Sequence, residues 1–226
     1  MKTKTVLLSV SIGFGLLCGC ASLKEKEDLP KSTNIESIIL KEYDSVFFTD
    51  FRNDGISNFN NYEDLVTAED NGVMYFIGKN ETEPRSQISR KGILARNGAI
   101  VFRFKPIDKT SFTISSSYGD WKSDDFQWIG LDFYSGNSVV IDEMHGSNPA
   151  YRNMEWKNDG IRINSTYALL IKLDAAGKIS FELYDNIGLV GKYRHSESFV
   201  GNRLGFTFAM EKGRLSVLGY SEYIKK

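Results

Sequence analysis

The chain has only two cysteines, Cys18 and Cys20, and only two histidines, His145 and His195. Both cysteines stand near the amino end, so the remainder carries no disulfide and no thiol chemistry. So few histidines argue against a histidine-rich transition-metal site. The formal net charge is -1, with Lys and Arg dispersed among the acids. That balance leaves no electrostatic footprint for nucleic acid, and no nucleic-acid partner is expected. No apolar run reaches the roughly 20 residues that a stable membrane-spanning helix needs. No Gly-rich phosphate loop leads from a strand into a helix, and neither Ser115-Ser116-Ser117 nor Ser196 beside His195 forms a nucleophile elbow. The main body also lacks a long helical period, an internal repeat and any low-complexity segment.

What is present begins with an export pattern: cationic Lys2 and Lys4, an apolar stretch from Val6 to Leu17, then Gly19 and Cys20. The segment resembles the signal peptide and lipobox of bacterial lipoproteins. The resemblance implies a signal peptide over residues 1–19, cleavage before Cys20, and lipidation of Cys20 by enough acyl chains for stable anchoring. Residues 20–44 read as a polar tether, because Lys24-Glu25-Lys26-Glu27-Asp28 and the following Pro30, Ser32 and Thr33 offer little to pack. Within it, Ile35, Ile38 and Ile39 fit either a helical turn or a first edge strand. Ala21 and Ser22 lack the aspartate that retains some lipoproteins at the inner membrane, which implies the outer membrane in an organism that has one.

About 200 residues follow Cys20, which suits one large all-β domain. Short segments rich in β-branched and aromatic residues alternate apolar and polar positions with the two-residue period of half-buried strands. The apolar sets are Ile100, Phe102, Phe104; Ile129, Leu131, Phe133; Leu169, Ile171, Leu173; Ile179, Phe181, Leu183; Leu204, Phe206, Phe208; and Leu215, Val217. Asp174-Ala175-Ala176-Gly177-Lys178 predicts one tight hairpin, and Glu211-Lys212-Gly213 predicts another joining the last two strands. Many antiparallel strands with one apolar face each bury those faces by packing two sheets together. The expected domain spans residues 45–226.

This series resembles the concanavalin A-like, laminin-G-like jelly rolls. The resemblance rests on Phe47-Phe48-Thr49-Asp50-Phe51 with Asn53-Asp54-Gly55 as first strand and turn, and on Ile100 to Phe104 as a core strand. Thr166 to Ile179 matches a recurring hairpin, and Gly205-Phe206 to Val217 the closing strands. It implies an all-β sandwich of two antiparallel sheets, in which one outward face and its rim loops often bind sugars.

If Ile100, Phe102, Phe104 and Ile129, Leu131, Phe133 face the core, then Arg103, Lys105, Trp128, Gly130, Asp132 and Tyr134 face away from it. A flat ring covers the C–H face of a pyranose while charged and amide groups take its hydroxyls, with Gly130 leaving room between rings. The expected ligand-binding set is therefore Arg103, Trp128, Asp132 and Tyr134, with Trp121 and Trp156 at the rim beside Tyr118, Phe126 and Tyr151. The plainer alternative has Trp128 and Tyr134 covered by a loop and Arg103 paired with Asp132. Asp120, Asp124 and Asp125 are candidate calcium ligands, with ordinary turn chemistry as the alternative.

The glycosidases of the resembled superfamily place alternate carboxylates on one strand face. Val139 to Gly146 lacks that pattern, because adjacent Asp142 and Glu143 point to opposite faces. Asp132 with Glu143 or Glu182, and His145 as acid or base, remain open as unrelated pairings. Three functions follow from the sequence: an envelope lipoprotein that binds carbohydrate or a surface polymer, a jelly-roll glycoside hydrolase, and a noncatalytic protein-interaction or structural lipoprotein.

Overall fold

A computed structural model describes residues 35–62, 65–70, 73–79, 86–120, 122–134, 139–145, 154–156 and 161–226. The leader, Cys20 and the acidic-basic run after it lie outside these residues. The elements are α1 (Ile35–Glu42), β1 (Tyr43–Thr49), α2 (Phe51–Asp54), β2 (Asn60–Tyr62), β3 (Val66–Asp70), β4 (Val73–Lys79), β5 (Ser86–Ala95), β6 (Gly98–Pro106), β7 (Ser111–Tyr118), β8 (Gln127–Tyr134), β9 (Val139–His145), β10 (Met154–Trp156), β11 (Tyr167–Leu173), β12 (Ile179–Tyr184), β13 (Leu189–Arg194) and β14 (Arg203–Lys225).

All strand pairs are antiparallel, and they join into one sheet that β14 folds into two layers. Residues 203–212 of β14 lie between β7 and β5. Residues 212–225 lie between β6 on one side and β4 and β1 on the other. The front layer therefore runs β10-β9-β8-β7-β14-β5-β2, and the back layer runs β13-β12-β11-β6-β14 with β1, β4 and β3 beyond.

Glu211-Lys212-Gly213 makes no hairpin. Gly213 has φ +81° and the register against β7 slips between Met210 and Lys212. The strand turns a corner instead of reversing: its partners change from β5 and β7 to β4 and β6 on either side of the slip, and a bulge of this kind bends a strand. The two halves of β14 then face each other: the rings of Phe206 and Tyr220 are 5.0 Å apart.

The alternating apolar residues meet between the layers. Phe102 and Phe104 of the back layer contact Phe208 and Phe112 of the front layer at 5.4 and 5.2 Å, and Phe112 stacks on Phe133 at 4.8 Å. Each such ring, removed from water, contributes roughly 1.5–3 kcal/mol. The hairpin from β11 to β12 forms over Asp174-Gly177, where Asp174 Oδ1 accepts from Lys178 N at 2.9 Å.

Ile35 and Ile39 are one helical turn apart and bury against Ala99, Val101, Leu170 and Tyr223 on the outer face of the back layer. Residues 35–44, assigned to the tether by composition, thus belong to the folded body, since a four-residue apolar spacing gives even a short helix one face to bury. Among the described residues, no helix is long and apolar enough to cross a membrane.

Candidate functional site

On the outer face of the front layer the ladder sets small residues side by side. Gly205, Ser117 and Trp128 align across β14, β7 and β8, and Thr207, Ser115 and Gly130 form the next row. Such short side chains keep the floor low. Trp128 uses that space by lying down: a Cβ on Gly130 would stand 2.6 Å from Trp128 Cζ2. Gly130 therefore seats the indole instead of separating it from a second ring.

Beside this row lies a groove of about 550 Å³. Gln87 and Lys91 of β5, Ser117 of β7, and Arg203 and Thr207 of β14 line it, with Gly205 between them and Asp120 in the loop above. An amide, two hydroxyls, two cations and a carboxylate thus converge on one cleft. Tyr118 forms a wall, its ring packed so tightly on Gly201 that a Cβ there would stand 2.7 Å from Tyr118 Cγ. Phe126 is buried beneath the same loop and acts as a plug.

The structure brings Trp128, Asp132 and Tyr134 together on this outer face of β8 but not Arg103. Arg103 is on β6, paired with β11 and β14 in the back layer, so it faces away on the opposite side of the sandwich. Alternation determines that a residue faces outward, and the layer its strand joins determines which outside it reaches. Lys105 goes with it. Asp132 is 6% exposed and accepts a hydrogen bond from Thr113 Oγ1, which makes it a support under the surface. Tyr134 is half-buried at the far end of the strand. Trp156 lies in register with Val139 on β10, while Trp121 and Tyr151 fall outside the described residues.

The expected carboxylate pairs also separate. Glu143 faces the interior, and Glu182 lies on the back layer, engaged by Lys172 Nζ at 2.5 Å and Tyr184 OH at 2.6 Å. Asp142, directly across from Gly130, does share the outer face with Asp132 as its diagonal neighbour. Its Oδ1 is buried and has no hydrogen-bond partner among the described residues. In the loop, Asp120 Oδ1 accepts from Lys122 N at 3.1 Å, an ordinary turn contact. Among the described residues, Asp120, Asp124 and Asp125 form no convergent ligand group. The group that does converge is Glu143, His145 and His195. Two histidines were too few for a rich cluster, yet both arrive at one point.

Gln87, Lys91, Arg203 and Thr207 escaped sequence reading. Arg203, Gly205 and Thr207 do alternate with Leu204, Phe206 and Phe208, so their outward direction was legible. That β5 and β7 flank them was not, since both pairings join segments far apart in the chain.

No protein-family model and no curated protein matches this chain. Solved structures do. A protein of unknown function from Shewanella oneidensis MR-1 aligns with TM-score 0.57 at 14% identity, over 84% of this chain and 93% of that one. A Bacillus subtilis protein of unknown function with a galectin-like fold aligns with TM-score 0.57 at 8% identity, over 81% of this chain and 100% of that one. Peanut lectin aligns with TM-score 0.54 at 12% identity, over 81% and 99%. The fold is a lectin-like jelly roll. This all-β sandwich is the concanavalin A-like class expected from the strand pattern, and at such identities the likeness establishes the fold alone.

Proposed function

We propose that this chain is a lipid-anchored envelope protein that binds carbohydrate in the groove on the outer face of the front layer. The observation that carries this reading is the groove itself, where Gln87, Ser117, Thr207, Lys91, Arg203 and Asp120 offer donors and acceptors, with the half-buried Trp128 directly across the ladder from Ser117. Such a set matches a polyhydroxylated ligand, which presents hydroxyls around its edge and an apolar C–H face. The lectin among the structural neighbours supports it by analogy of fold. Anchoring follows from the lipobox resemblance at Cys20. Many weak sites on one membrane then act together on an extended polymer.

The test is a glycan array probed with the full-length chain in detergent, beside Trp128→Ala and Arg203→Ala variants. Loss of affinity on the order of tenfold or more in a folded variant supports the site. A wild-type chain that is folded and binds no glycan removes the carbohydrate reading in favour of a protein partner. Export and lipidation are tested separately, by mass spectrometry of the mature amino end and by release of a Cys20→Ser chain from membranes.

A second reading draws on Asp142. Asp142, whose Oδ1 has no hydrogen-bond partner among the described residues, and Asp132 are diagonal cross-strand neighbours on one face, which puts two carboxylates side by side as glycoside hydrolysis requires. Turnover of a bound glycan that disappears in Asp142→Asn supports hydrolysis. Binding without turnover leaves the lectin reading.

A further inference from the structure

Inside the same edge of the sandwich, β9 carries a second constellation. Its inner face reads Val139, Ile141, Glu143, His145, so a carboxylate and an imidazole continue an apolar row. Across the gap, β13 and the residue after it supply Tyr193 and His195. Glu143 Oε1 lies 2.9 Å from His195 Nδ1 and accepts from Tyr193 OH at 2.8 Å. Glu143 and His195 are each 2% exposed. The rings of His145 and His195 stand 6.0 Å apart, and His145 Nε2 is 3.7 Å from Glu197 at the solvent side. One ligating atom from each of Glu143, His145 and His195 lies within 4.8 Å of the others.

A buried pair steadied by a tyrosine accounts for Glu143, Tyr193 and His195. It does not account for His145, which the strand period delivers to the same point. We propose that Glu143, His145 and His195 form a site for a divalent transition metal of the zinc class. Two imidazole nitrogens with one carboxylate are donors that zinc takes readily, whereas calcium takes six to eight oxygens. Tetrahedral ligands with Zn–N and Zn–O bonds of about 2.0–2.1 Å sit about 3.4 Å apart, so His145 has only to move inward. It can, because it lies at the surface and its contact with exposed Glu197 is weak.

An ion bound by His195 Nδ1 and Glu143 would stand where these two atoms now meet at 2.9 Å, and ligand protons would leave to solvent. Tyr193 donates to Glu143 Oε1, the oxygen that faces His195 Nδ1, and so fixes that oxygen in place. With three protein ligands, the ion would keep one position for water, as zinc sites with an open position do.

The chain's two histidines make the test direct. The full-length chain, labelled with nitrogen-15 and stripped with chelator, is titrated with zinc chloride while both imidazole spin systems are followed by NMR. The proposal expects both to shift together and saturate at one ion per chain. Cobalt(II) in place of zinc should give the intense visible bands of tetrahedral coordination. His145→Ala should abolish those bands, and Tyr193→Phe should weaken binding about tenfold. The proposal is overturned if zinc leaves either imidazole of the wild-type chain unmoved, or if cobalt bands are absent or persist undiminished in His145→Ala. The NMR arm needs no substitution, so a misfolded variant cannot obscure the answer.

Discussion

The indole of Trp128 lies across Gly130, so closely that a Cβ on the glycine would stand 2.6 Å from Trp128 Cζ2. Ring and glycine therefore act as one unit. Gly130→Ala should lift the indole off the sheet, lower stability by about 1–3 kcal/mol through overpacking, and reduce glycan affinity as far as Trp128→Ala does. Urea unfolding and glycan binding on the same variant check this. Affinity unchanged in a destabilised Gly130→Ala would show that the seat of the indole has no part in recognition.

Gly213 turns the corner that closes the sandwich. Its φ is +81°, and a Cβ would stand 2.5 Å from the carbonyl oxygen of Lys109. A branched side chain meets both obstacles at once. Gly213→Val should cost about 2 kcal/mol or more, read as a lower urea midpoint with the cooperative transition retained. An unshifted midpoint would mean that the corner yields freely.

Tyr220 gives the fold an alkaline limit. Burial, then the charge of Glu222 and its hydrogen bond at 3.0 Å, hold the phenol pKa well above its ordinary value, with Arg90 opposing. Tyr184 and Tyr43 are raised as well, first by burial. In the unfolded chain a tyrosine ionises near pH 10. The folded chain keeps these protons to higher pH, so their contribution is complete below about pH 10 and is lost as pH rises toward the folded values. Thermal midpoints should therefore fall from about pH 9.5 upward, and Tyr220→Phe should flatten the decline. Parallel pH profiles in the two proteins would remove Tyr220 as the cause.

The core was legible residue by residue. Phe102, Phe104, Leu131 and Phe181 declare their direction through the alternation around them, a local property that the ladder preserves. The helix at Ile35 was legible only as an ambiguity, because three apolar residues fit a turn or a strand until the surface of Ala99, Val101 and Leu170 selects the helical face. Glu211-Lys212-Gly213 misled for a related reason. A glycine at positive φ serves a hairpin and a bulged corner equally well, and the choice rests with the partners on either side of it.

The candidate sites divide the same way. The outward direction of Trp128 and Tyr134 was legible because it is a strand property, and Arg103 was grouped with them because direction carries no information about layer. Arg203 joined the groove only through the pairing of β14 with β5 and β7. His145 and His195 became one cluster only when β13 closed across the end of β9.

By itself the sequence determined which residues turn toward the core, that many short strands must pack as two layers, and that no thiol chemistry is available beyond the first twenty residues. These are consequences of period and composition, and neither needs a distant partner. Tertiary structure decided which outward faces coincide, where β14 bends, and which polar groups meet in the groove and around Glu143. Strand pairing joins segments remote in the chain, and a hydrogen-bond ladder made of backbone groups leaves little trace of its partner in the side chains.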